Sequence, residues 1–230
     1  MSAALRFDDA REAADLAAFL GRLIHYDRAA AVRLQAGGGA LAVFGRPPSF
    51  EVLAIRTARL ADDTVTLDVT VSAGELLESL DELSATTHVP QAVTGPPWAG
   101  VLPPRGGWQP VEGLPAAERM RGAVAAAVAE FRSRDEALPE ELRTRAERER
   151  IGREIWSRTL GSTDLPLRAV HAAQSLGFLR PVRALASAGA PTAPEPVALF
   201  ASGPWLRLRT PYGSVAVRTA GTGGLSVTPA

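Results

Sequence analysis

The sequence predicts an α+β protein. An N-terminal antiparallel four-stranded meander carries flanking helices, and a C-terminal helical half ends in a β-hairpin. Three observations predict this. Residues 8–24 place Leu16, Phe19, Leu20, Leu23 and Ile24 on one helical face. Four short apolar stretches follow, at 30–36, 40–45, 50–58 and 64–71. Near the C-terminus, "WLRLRT" and "SVAVRT" flank Pro211-Tyr212-Gly213, a turn signal.

The first helix has a start signal. Asp9 and Glu12 stand at capping-box spacing, which satisfies free N–H groups in the first turn. Among the apolar stretches, "TVTLDVTV" alternates, with Val65, Leu67, Val69 and Val71 on one side, as a half-buried strand requires. Gly37-Gly38-Gly39, Pro47-Pro48 and Asp62-Asp63 separate the stretches. These separators are short, so each strand is expected beside the next. Ser72 and Glu75 repeat the capping box before a helix from about residue 73, striped by Leu76, Leu77, Leu80 and Leu83. Residues 1–88 therefore form an expected α-ββββ-α domain.

Residues 89–115 break the pattern. Seven prolines, at 90, 96, 97, 103, 104, 110 and 115, exclude regular helix and oppose a central strand. Trp98 and Trp108 gain from burial. The segment reads as an ordered strap or a linker with docking points, and its two tryptophans are candidate protein contacts.

Residues 116–220 are expected to hold helices and then the hairpin. Met120, Val124, Val128 and Phe131 recur at helical spacing over 116–132. Residues 140–160 open in "EELRTRAERERIGRE", where Glu141–Arg145, Arg145–Glu149, Glu149–Arg153 and Arg150–Glu154 are i,i+4 pairs of a solvated helix. After "GSTD", with Asp164 as a cap, a helix is expected over 165–176, ending at Gly177. In "WLRLRT", Arg207 and Arg209 face away from Leu206 and Leu208. Residues 221–230 read as a frayed tail.

Composition excludes several chemistries. The chain has 230 residues and no cysteine, so disulfides, thiolate zinc sites and cysteine nucleophiles are absent. All 25 basic residues are arginine, which removes lysine Schiff-base chemistry and the P-loop lysine. Lysine and asparagine, both with A-rich codons, are missing; a GC-rich bacterial genome is the expected source. No apolar run reaches the length of a membrane span, and the N-terminus lacks the pattern of a secretory signal. A cytoplasmic protein is expected.

The net charge is zero but uneven. Residues 1–115 hold 9 Arg against 14 acids, and residues 116–230 hold 16 Arg against 11. From 166 onward there are six Arg and one acid, Glu195. This points to an anionic partner for that end, or to two halves that face each other.

No catalytic motif stands out. His25, His88 and His171 are far apart in sequence, and neither H-E-x-x-H nor G-x-S-x-G occurs. His25 and Asp27 fit a helix end, and the triple glycine fits a hairpin turn better than a phosphate loop. Acid pairs such as Asp62-Asp63 are explained by caps and turns. No cofactor and no metal are expected.

The order of helix 140–160, a short turn, helix 165–176 and a hairpin resembles a winged-helix module. The matching pieces are "DLPLRAVHAAQSLGFL" and "WLRLRTPYGSVAVR". The resemblance implies that the second helix enters the DNA major groove with Arg168, His171, Gln174 and Ser175 pointing outward, the Arg and Gln able to contact base edges. Arg207, Arg209 and Arg218 of the wing would then neutralise phosphates. About twenty Ala- and Pro-rich residues before the hairpin depart from that pattern.

The expected function is a non-enzymatic intracellular interaction protein, a regulator or assembly factor with a basic C-terminal surface. Its partner is a protein or a second copy, with no membrane role. DNA binding is the first alternative; it requires Arg168, Gln174, Arg207 and Arg209 on one surface. An enzyme built from scattered carboxylates, Arg and His is the second; it requires a deep pocket with His25 or His171 beside acids.

Overall fold

The computed structural model describes residues 4–93, 102–181 and 197–219. Helices and an antiparallel sheet are both present, so the fold is α+β with a C-terminal hairpin.

The first helix, α1 (Ala10–Tyr26), follows a short strand β1 (Ala4–Arg6). The Asp9 carboxylate accepts the Glu12 backbone N–H at 2.9 Å, the cap read from the sequence. Leu16, Phe19, Leu20 and Leu23 are buried at three- and four-residue spacing. Strands β2 (Ala31–Gly37), β3 (Ala40–Gly45), β4 (Leu53–Arg59) and β5 (Leu67–Ser72) come next. Gly38 and Gly39 join β2 to β3 with φ of 57° and 74°. Two successive left-handed residues match the twist of a tight hairpin, and glycine adopts them without strain. Ser72 caps α2 (Ala73–Ser79), and β6 (Thr86–His88) pairs with β1.

The expected neighbour-to-neighbour pairing holds for β2, β3 and β4. The fourth strand departs from it: β5 pairs with β2, giving the order β5-β2-β3-β4. Residues 60–66 therefore cross the end of the β2–β3 hairpin. The Leu60 N–H donates to the Gly39 carbonyl at 2.8 Å on the way. The β4 edge that β5 leaves vacant is taken by the C-terminal half.

That half begins with β7 (Gln109–Val111) and α3 (Ala117–Glu136). The helix expected over 140–160 is interrupted. A 3-10 turn at Glu140–Leu142 precedes α4 (Arg145–Trp156), which Thr144 caps through the Glu147 N–H. Glu141 thus lies outside α4. Of the four expected pairs, Arg145–Glu149 at 2.7 Å and Arg150–Glu154 at 3.7 Å form. Arg153 bonds the Glu149 backbone carbonyl instead. Other ion pairs join α4 and its end to α3: Arg134–Glu154, Arg158–Glu130 and Arg148–Asp135. The Arg134 guanidinium holds the Glu154 carboxyl down to about 2.

Helix α5 (Leu167–Ser175) follows. Its N-cap is Pro166, with no side-chain cap, so Asp164 does not fill the role read from the sequence. Strands β8 (Ala198–Ser202), β9 (Trp205–Thr210) and β10 (Gly213–Arg218) are the last elements among the described residues.

β10 pairs with β4, setting Ser214 opposite Ile55, Val215 opposite Ala54 and Ala216 opposite Leu53. Strands β2–β5 and the C-terminal hairpin therefore lie in one eight-stranded sheet, ordered β5-β2-β3-β4-β10-β9-β8-β7, while β1 and β6 form a separate pair. The hairpin does not project freely; β4 and β8 flank it. On the inward face, Val32, Leu34, Val43, Leu208 and Val215 share a core with Leu16, Leu20, Met120, Ile155 and Val170.

Candidate functional site

Strand alternation divides β9 between two faces. Leu206 and Leu208 join the inward core, while Trp205, Arg207 and Arg209 point outward, as the sequence indicates. Register extends the outward face across the sheet. Arg207 stands opposite Ala216, Ala216 opposite Leu53, and Phe44 opposite Ile55. Phe44, Leu53, Ile55, Trp205 and Ala216 form a second, smaller apolar cluster there.

The Pro/Trp segment covers part of this face. At one edge of the sheet, Ala92 bridges Val71 and the Val93 N–H donates to the Thr70 carbonyl at 2.9 Å. At the opposite edge, β7 pairs with β8, with Pro110 in the outermost strand, where its missing N–H costs least. Between the edges, Leu102 and Trp108 pack on the apolar cluster. The Trp108 Nε1–H donates to the Pro104 carbonyl at 3.0 Å, fixing the turn above the sheet. Leu102 and Trp108 thus lie over the outward face of the sheet. Trp98, the strap's other aromatic, lies outside the described residues.

A cleft of about 350 Å³ opens between strap and sheet. Phe44 and Ile55 form its floor, with Gln35, Thr57, Arg105 and Arg207 as polar lining. Arg207 is half-buried. Its Nη2 donates to Ser214 Oγ at 3.1 Å, and its guanidinium carbon lies 5.9 Å from the Trp108 ring centre. Its Nε is buried without a hydrogen-bond partner, and it makes no ion pair among the described residues. Burial, and then the neighbouring Arg209, push its pKa below the usual guanidinium range. A guanidinium remains charged under such a shift. A charge held this way, with an unfilled donor, favours an arriving anion. Arg209 lies over the Phe200 ring at 4.8 Å. Arg218 is exposed at the end of β10, near Trp205.

The remaining candidates sit elsewhere. Helix α5 packs on β10 from the inward side. Arg168 faces Glu51 at 3.7 Å, and Gln174 is exposed. His171 is held between Trp156, stacked at 4.3 Å, and Phe50, edge-on at 5.1 Å. Arg168, His171 and Gln174 are thus separated by the sheet from Arg207 and Arg209. His25 lies in the last turn of α1, edge-on to Tyr26. No group of three His, Asp or Glu side chains could hold a metal ion among the described residues. No helix there is long and apolar enough to cross a membrane.

His171 has a consequence for stability. Burial lowers its pKa from the ordinary 6.5. The unfolded chain therefore binds the proton more readily than the folded one. The contribution is full above about pH 6.5 and falls as pH drops below it. Urea unfolding between pH 5 and 7.5 is expected to show this loss, and His171→Phe to flatten it.

The cleft's residues come from distant parts of the chain. The pairing of β7 with β8 and of β8 with β9 sets Pro110 opposite Phe200 and Phe200 opposite Arg207, and the pairing of β4 with β10 adds the apolar floor. Comparison with known proteins adds a family. Residues 1–100 match the model of a domain of unknown function (DUF8010), and residues 103–222 match that of a second domain of unknown function (DUF8185). No curated protein and no solved structure matches the chain. The second match takes in more than half of the sequence, and the chain belongs to the DUF8185 family.

Proposed function

We propose that this chain is a non-enzymatic binding protein that takes an acidic segment of a partner protein on the outward face of its sheet. Arg207 carries the reading: a half-buried guanidinium with a buried, unfilled Nε, set above an apolar floor. Arg105 lines the same cleft and supplies a second positive charge. A carboxylate entering there gains a charge-assisted hydrogen bond in a poorly solvated place, where such bonds are strongest. Phe44, Ile55 and the prolines of the strap suit apolar side chains beside that carboxylate. The cleft lies at the small end of ligand-site volumes, which suits a few side chains of a larger partner.

Fluorescence anisotropy with a labelled peptide of alternating Glu and Val tests the proposal. Binding is expected to weaken with salt. Arg207→Gln is expected to weaken it by about tenfold, the factor for loss of a charged hydrogen bond of at least 1.4 kcal/mol. A melting curve confirms that the variant folds. Equal binding of the Lys/Val counterpart, or unchanged affinity in Arg207→Gln, would reject the reading. Tighter binding of a random DNA duplex through Arg168 and Gln174 would favour nucleic acid instead.

A further inference from the structure

A second pocket opens on the same face and shares no lining residue with the cleft. It measures about 240 Å³, with Leu53, Ala216 and Trp205 as its apolar surface and Arg46 and Arg218 at its margin. We propose that it binds a small aromatic carboxylate of one or two rings.

Three observations carry this. The first is charge. Arg46 and Arg218 are exposed and make no ion pair among the described residues. The pocket's one acid, Glu51, is paired with Arg168 of α5, its carboxylate 3.7 Å from the guanidinium. Two positive charges are therefore left for a ligand.

The second is Trp205. It is 9% exposed and belongs to the outward apolar cluster with Phe44, Leu53, Ile55 and Ala216, one part of its indole lining the pocket. The indole thus offers the ligand an apolar surface held rigidly in the sheet.

The third is the wall. In the loop between β3 and β4, Ser49 and Glu51 hold φ of 69° and 53°. Non-glycine residues adopt this region only under strain that surrounding structure enforces, and such strain gathers at ligand clamps. Here it turns Phe50 inward, edge-on to Tyr26 and His171, and leaves Glu51 beside the pocket. The wall is thereby fixed before any ligand arrives, which lowers the cost of binding.

The size fits the class. A volume of 240 Å³ is below that of most drug-sized sites and suits a fused bicyclic ring at most. Planar rings stack on the indole, and a carboxylate pairs with a guanidinium through two parallel hydrogen bonds.

Isothermal titration of the full chain with 2-naphthoate and the neutral 2-naphthamide tests this. Naphthoate is expected to bind saturably, and the amide at least fivefold more weakly. Arg218→Gln and Arg46→Gln, both at exposed positions, are each expected to weaken naphthoate by about five- to tenfold. Arg132→Gln, which removes the same charge from an exposed position on α3, is expected to leave it unchanged. No saturable binding at millimolar naphthoate would overturn the proposal. So would equal affinity for the amide, or unchanged affinity in both pocket variants. Because the two pockets share no lining residue, either reading can fail while the other stands.

Discussion

Replacing Gly213 with alanine is expected to lower the melting temperature by about 10 °C. Gly213 opens β10 at a φ of 151°, outside the range that side chains favour. A Cβ there would stand 2.6 Å from Cε1 and Cζ of Phe178. The Phe178 ring has little freedom to withdraw: it is 3% exposed and stacks on Phe19 at 5.6 Å. The strand cannot retreat either, since the Gly213 carbonyl accepts the Thr210 hydroxyl at 2.9 Å. Overpacking of this kind costs about 1–3 kcal/mol, and the backbone strain adds about 1 kcal/mol. Gly37 is the control. A Cβ there meets nothing within 4 Å, so Gly37→Ala should leave the melting temperature almost unchanged. Thermal denaturation of both variants decides it; equal melting curves would disprove the packing argument.

The second large effect is at Arg56. This residue points inward from β4, is 7% exposed, and meets α1. Its Nη2 lies 3.1 Å from Glu12 Oε2 and 3.4 Å from Asp15 Oδ2. Other arginines complete the network: Arg59 stands 3.3 Å from Glu12 Oε1, and Arg180, stacked on Tyr212, bonds Asp15 Oδ1. Arg56→Met keeps the volume and removes the charge, leaving two poorly hydrated carboxylates with one partner each. Removing one member of a buried pair costs 3–5 kcal/mol; the remaining partners and partial exposure reduce this to about 2 kcal/mol. Chemical denaturation measures it. Adding Glu12→Gln and Asp15→Asn to Arg56→Met should recover part of the loss, because no poorly hydrated carboxylate is then left short of a partner, and Arg180, which loses Asp15, is partly exposed and stays stacked on Tyr212. A neutral single variant would show that the network contributes little.

The local features were legible, because they depend on neighbours in sequence. Asp9 and Ser72 cap the helices they announce, Gly38-Gly39 turns the hairpin, and Arg207 and Arg209 face away from Leu206 and Leu208. The long-range features were not. Nothing in "TVTLDVTV" says that its partner is β2, and nothing in β4 or β10 marks them as neighbours. β4 also misleads by size: Leu53 and Ile55 face outward while Ala54 and Ala58 face inward. The outward face accepts the larger residues because Leu102 and Trp108 pack against it. Arg56 was the missed signal, a charge inside the run "LAIRTAR" that only an acidic partner across the core explains. The cleft was hidden for the same reason. Arg207 and Arg105 are about a hundred residues apart, and only the sheet order joins them.

The most direct measurement is amide chemical-shift mapping of the isotope-labelled protein during titration with the Glu/Val peptide. Shifts are expected at Ile55, Thr57, Arg207 and residues 102–108 around the cleft. Shifts confined to α5 or the inward helices, or none at saturating peptide, would contradict the claim that the strap and Arg207 form a binding site.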